Sequence, residues 1–392
     1  MPAIGSRGEI ENAAGNHEFV RVERNRDVMF DHAPFPCYGC SDPPDCRRFR
    51  LVGHEVAAAI DHPTAADVTG VGDRLAEAGV CEIILIHGTF AGDDIAGMIR
   101  PLARYSPRIS RTIKDLSKQW FDQLADEVGN YTAGYARRLA EMIGDGRPDP
   151  ITVTRFHWSG ENHHLGRACA AASLLDQLLS RDWRPEQRLL FWAHSHAGNI
   201  LAMMSLVLGC DRDTKRAFLD TISVHLDAQH GGESSPPTSS RLRANLLDPG
   251  CISRLPQMDV ATFGTPLRYR WNPGFTNHLL HFVQHRPLVA DRPSFAALPT
   301  SVQDVQHAAG GDYVQQLGVG GTDFSPPPWY WSSWKSNGRL KKMFESTVRR
   351  RDLKKVLTRG ERVSLDGQTL LVDYPSTAEG WNRKLLGHGV YT

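Results

Sequence analysis

The chain has almost no net charge: 45 Lys and Arg stand against 44 Asp and Glu, leaving +1 over 392 residues. No global field therefore draws it toward nucleic acid or an anionic membrane. It also lacks a long unbroken apolar run. The longest apolar stretch, around Met203, is interrupted by His194, Ser195, His196 and Asn199, and no window serves as a spanning helix. The opening M-P-A-I-G-S-R-G-E-I-E-N has none of the apolar core of a secretory signal. Cysteine is sparse and odd in number, seven in all, which suits a reducing compartment better than a disulfide scaffold. The expectation is a cytoplasmic protein with no transmembrane segment and no nucleic-acid partner.

What is present is enough apolar residue, 41%, to bury a large core. Apolar strand-like runs at 82–86, 151–157, 189–192, 259–263 and 278–285 alternate with helical patterns, which argues for an α/β layer architecture. R-V-S-L-D-G-Q-T-L-L-V-D-Y reads as a β-hairpin with Asp366 and Gly367 at its turn. Residues 1–75 form an N-terminal extension with a Cys-rich loop, followed by a strand-like run at 49–60. Cys37, Cys40 and Cys46 have the C-x-x-C start of a zinc knuckle, and His32 or His54 could complete four ligands. A second C-x-x-C is missing, and free thiols or one local disulfide are the competing reading. His163 and His164 are neighbours in a loop, so they read as a solvated helix entry and not as a metal pair.

The most informative stretch is R-L-L-F-W-A-H-S-H-A-G-N-I-L-A-M-M-S-L-V-L-G, residues 188–209. A buried strand must reverse within a few residues into an apolar helix, and Ser195 stands at the reversal. That arrangement is a nucleophile elbow, which holds a serine hydroxyl toward substrate on a strained turn. The usual G-x-S-x-G has alanine at both glycine positions here, the smallest possible departure, and Gly198 follows at once.

The elbow resembles the G-H-S-H-G-G-N form of esterase-like members of the α/β-hydrolase superfamily. T-F-G-T-P-L-R-Y at 262–269 is similar to a strand end of class-three lipases, and L-L-G-H-G-V-Y-T at the end resembles their D-H-x-x-Y tail. The resemblance spans about residues 80–392. It implies an α/β-hydrolase fold: a mostly parallel central sheet with helices on both faces, the hydrolase domain covering 76–392. A helical insertion at about 95–145 would be either a lid or a pair of packed surface helices.

It also implies a site. Ser195 would be the nucleophile and His388 the base. Asp312 would be the acid, in a tract similar to D-P-V-P-R-L, with Asp323 and then Asp291 as alternatives. His87-Gly88 would form the oxyanion loop, with Thr89 (alternatively Phe90) and His196 supplying the backbone donors. His194 and His196 would shape the pocket. The implied activity is hydrolysis of a carboxylic ester, on a small-molecule or lipid substrate, through an acyl-enzyme and without a cofactor. An amidase or thioesterase on the same fold, and a non-catalytic hydrolase-like binding protein, are the alternatives. The Pro- and Trp-rich tract at 324–334 reads as a pocket wall or a packed loop, and 339–357 as a basic amphipathic helix.

Overall fold

The computed structural model describes residues 45–50, 65–89, 131–144, 149–229, 236–266, 268–272, 274–286, 308–318, 326, 329–344, 366–373 and 391. In chain order its elements are β1 (Asp45–Arg50), α1 (Ala65–Glu77), β2 (Val80–Ile86), α2 (Ala133–Gly144), β3 (Thr152–Phe156) and α3 (His164–Leu179). Next come β4 (Arg188–His194), α4 (Ala197–Gly209), α5 (Arg212–Gln229), α6 (Thr238–Leu246), α7 (Pro249–Ile252) and β5 (Gln257–Phe263). The last are β6 (His278–Gln284), α8 (Tyr313–Gly318), α9 (Trp331–Phe344) and β7 (Gln368–Asp373).

The seven strands form one sheet in the order β1-β7-β6-β5-β4-β2-β3, and every neighbouring pair is parallel. Parallel neighbours need crossover connections, and helices supply them on both faces. The strands are accordingly apolar on both sides, with the two-residue period deciding which side each residue serves. Leu189, Phe191 and Ala193 of β4 join Ile84 and Ile86 of β2 in the larger core, beneath α3, α4, α5 and α6. The intervening Leu190 and Trp192 join Ile83 and Leu85 in the smaller core with Tyr131, Ala136 and Ile143.

Helix α4 is apolar all round because it is buried all round: every residue from Ala197 to Leu208 is buried. Among the described residues no helix is long and apolar enough to cross a membrane.

Sequence expectations change at several places. Of the 95–145 insertion, the described part is Tyr131 to Gly144. Its Ala136 and Ile143 are buried in the smaller core, so α2 is a layer helix of the sheet and not a lid; residues 95–130 lie outside the described residues. Of the expected hairpin the structure describes Asp366, Gly367 and β7, which has parallel partners on both edges, β6 on one side and β1 on the other; residues 361–365 lie outside the described residues. The pair His163 and His164 is not a solvated loop. His163 accepts from Gly166 N (2.9 Å) as the N-cap of α3, and the buried His164 ring lies 2.7 Å from Tyr269 Oη through Nδ1. The expected strand at 49–60 overlaps β1 only at its start, and residues 51–60 lie outside the described residues.

Candidate active site

Ser195 is in the left-handed region, φ 53°, one of two non-glycine residues so placed among the described residues. A side chain there costs roughly 1–3 kcal/mol, so the surroundings must hold it. They do so from three directions. Ser195 N donates to Phe263 O at the end of β5 (2.8 Å), and Ser195 O accepts from Thr265 Oγ1 (2.8 Å) and from Gly198 N (3.2 Å). Only Ser195 and His196 separate β4 from α4, which makes the reversal as tight as an elbow requires.

Close approach explains where the small residues fall. A Cβ on Gly198 would stand 2.2 Å from Thr265 Oγ1, and one on Gly88 would stand 2.9 Å from Ser195 Cβ. Those two positions therefore need glycine. Ala193 and Ala197, which replace the glycines of the usual motif, are fully buried in the larger core, where a methyl group has room. The space requirement has moved along the chain, from the flanks of the serine to Gly198 and to the facing turn.

That facing turn is His87-Gly88-Thr89, immediately past β2. Ile86 of β2 pairs with Ala193 of β4, so the turn and the elbow leave the same end of adjacent strands. His87 fixes the turn. Its Nδ1 donates to Gly88 O (2.8 Å) while Nε2 accepts from Trp158 N (3.4 Å), a pairing that requires the Nδ1–H tautomer. Trp158 returns Nε1–H to His87 O (2.9 Å) and stacks on the ring at 5.8 Å. Nothing local in the sequence marks Trp158 for this role, because its partner His87 is 71 residues earlier. On the other side, the His196 N–H belongs to the first turn of α4, where amide groups have no intrahelical partner and the helix dipole favours negative charge. Phe90, the alternative donor to Thr89, lies outside the described residues.

Asp312 is fully buried beyond the end of β6. Its own N–H donates to Gln284 O (2.9 Å), Oδ1 accepts from Gln315 N (2.8 Å), and Oδ2 accepts from Tyr391 Oη (2.9 Å). The same Tyr391 hydroxyl accepts from Gln284 N (2.6 Å). The Tyr391 ring lies 5.9 Å from the His194 ring and 6.2 Å from Phe263. Tyr391 thus sits between Asp312, His194 and Phe263, the residue whose carbonyl receives the Ser195 N–H. His388 itself lies outside the described residues, as do Asp291, Asp323, Cys37, Cys40, His32 and His54.

His196, next after the serine, is engaged by Asn199. His196 Nδ1 is 3.1 Å from Asn199 Nδ2, which also donates to Pro266 O (3.0 Å). Among the described residues no imidazole bonds the Ser195 hydroxyl. Cys46 falls on β1, opposite Thr369 of β7, and the described residues contain no group of His, Cys, Asp and Glu arranged to hold a metal ion.

Comparison of the chain with protein-family models, with curated proteins and with solved structures finds no match.

Proposed function

We propose that this chain is a serine hydrolase of the α/β-hydrolase type that cleaves a carboxylic ester through an acyl-enzyme. The observation that supports this activity most directly is Ser195 itself, held at φ 53° in a two-residue reversal between a central parallel strand and a buried helix. The described candidate groups leave the same end of the sheet. The His-Gly turn follows β2, next to β4 on one side, and Asp312 follows β6, two strands away on the other. Ligand sites of open parallel sheets lie at the carboxyl ends of the strands.

In the proposed reaction His388 takes the Ser195 proton as the oxygen attacks the ester carbonyl. Asp312 holds the imidazole tautomer and stabilises the cation. The amides of Thr89 and His196 stabilise the oxyanion, a contribution of about 3 kcal/mol per donor. His388 then protonates the leaving alcohol, and water attacks the acyl-enzyme by the reverse path to release the acid and restore Ser195.

The test is labelling with a fluorophosphonate probe. Wild type should label, and Ser195→Ala and His388→Ala should not. A folded wild-type chain that never labels would leave the non-catalytic binding scaffold, the reading favoured by the two elbow alanines. Matched ester, thioester and amide donors of graded acyl length then separate esterase from thioesterase and amidase.

A further inference from the structure

Large aromatic side chains are the costliest to leave in water. Yet Trp329, Trp331 and Trp334 are 63%, 64% and 42% exposed, and Tyr330 is 44% exposed. They are close in the chain, and Trp331 and Trp334 stack with ring centroids 5.4 Å apart, so they make one patch and not scattered singles. This corrects the expectation that the indoles of the 324–334 tract face inward. At about 3.6 residues per turn, Trp331, Trp334, Lys335, Gly338 and Lys342 share one side of α9. Ser336, Asn337, Leu340 and Phe344 are buried on the other.

The buried side is anchored. Asn337 Oδ1 accepts from Leu165 N (3.0 Å) in the first turn of α3, and Phe344 meets Phe218 edge-on at 5.8 Å. The outward face is therefore presented on a fixed helix. Its charges have one sign: α9 carries Lys335, Arg339, Lys341 and Lys342 and no acid. Residues 335–355 hold nine Lys or Arg against two acids, in a chain whose total is +1.

We propose that the exposed face of α9 docks on an anionic lipid bilayer. The indoles and Tyr330 enter the headgroup layer, and the Lys and Arg side chains meet the acidic headgroups. Two other occupants fit less well. A second copy would bring like-charged faces together. Single-stranded nucleic acid is gripped in grooves, whereas this is the outer side of a helix. The inference is independent of the ester chemistry proposed above.

The experiment uses the full chain and vesicles of dialkyl ether lipids, which have no ester to cleave. One set is pure phosphatidylcholine and the other includes phosphatidylglycerol. Because each basic residue near an anionic surface strengthens binding roughly five-fold, the expected preference for phosphatidylglycerol vesicles is ten-fold or more, lost in high salt. Tryptophan emission should shift to the blue on binding. Trp331→Ser with Trp334→Ser should remove most of that shift and weaken binding. Lys335→Glu with Arg339→Glu and Lys342→Glu should remove the anionic preference. All five are surface positions, and a thermal melt checks that each variant is folded. Failure to bind anionic vesicles, equal binding to both sets, or binding unchanged in both variants would overturn the proposal. So would a dimer that the Trp variant dissolves, or tighter binding to an RNA oligomer than to the vesicles.

Discussion

At Ser195 the sequence and the geometry meet through very few atoms. One backbone acceptor, Phe263 O, and one hydroxyl donor, Thr265 Oγ1, hold the residue in a conformation that serine does not choose for itself. Thr265 was legible as part of a Gly-Thr-Pro strand end, but which atom it would bind was not, because its partner is 70 residues earlier. The proposed acid is the same kind of case. Asp312 was one of three carboxylates in loops, and position in sequence ranks such acids weakly. Asp312 is buried and accepts from Tyr391 Oη, and the other two carboxylates lie outside the described residues. That bond gives a graded prediction. Asp312→Asn should lower kcat/KM for ester hydrolysis by about 10⁴-fold, by favouring the wrong imidazole tautomer. Tyr391→Phe keeps the ring and loses one hydrogen bond to a carboxylate, so it should cost only about ten-fold. Equal losses in the two variants, or none in the first, would remove Asp312 from the mechanism.

At the scale of elements, the strands were readable and their environments were not. β6 looks like any apolar strand, yet it carries His281, fully buried between Thr262 and the turn before β7. Nε2 donates to Asp366 O (3.1 Å), so Nδ1 accepts from Thr262 Oγ1 (2.7 Å). Burial depresses its pKa from 6.5 to about 4. The unfolded chain therefore binds a proton near pH 6.5 that the folded chain refuses until about pH 4. Stability is complete above pH 6.5 and falls as the pH drops toward 4, by up to the order of 3 kcal/mol. Melting temperatures from pH 8 to 4 should show that decline, and His281→Gln should flatten it. An unchanged slope in the variant would mean that other groups set the acid limit. The neighbouring pair, Arg270 on Asp366 at 2.7 and 2.8 Å, ties the segment after β5 to the start of β7. In the sequence Asp366 reads only as a turn residue and nothing joins it to Arg270, because 96 residues separate them. Likewise α2 lies within the helical stretch expected at about 95–145. Whether it covered the sheet or the site depended on what lay beneath its apolar face.

At the scale of the molecule, β1 closes the sheet by pairing with β7, so the N-terminal stretch contributes the edge strand. Removing residues 1–50 would leave the edge of β7 open, a template for intermolecular pairing. The truncated chain should aggregate more readily by light scattering at matched concentration, while Ser195 still labels in the fraction that remains monomeric. Equal colloidal behaviour would show that β7 needs no cover. Charge is distributed as unevenly as the strands are connected: a neutral total conceals the basic stretch beginning in α9, and net charge alone argued against any membrane. The sequence by itself determined the α/β layering, the reversal at Ser195 and the apolar character of α4, because periodicity and small residues act over neighbours in the chain. Only the tertiary structure decided that β1 lies beside β7, that Asp312 meets Tyr391, and that the indoles of α9 point outward. Those are contacts or exposures set by segments far apart in sequence, and local pattern carries no record of which distant surface a residue will face.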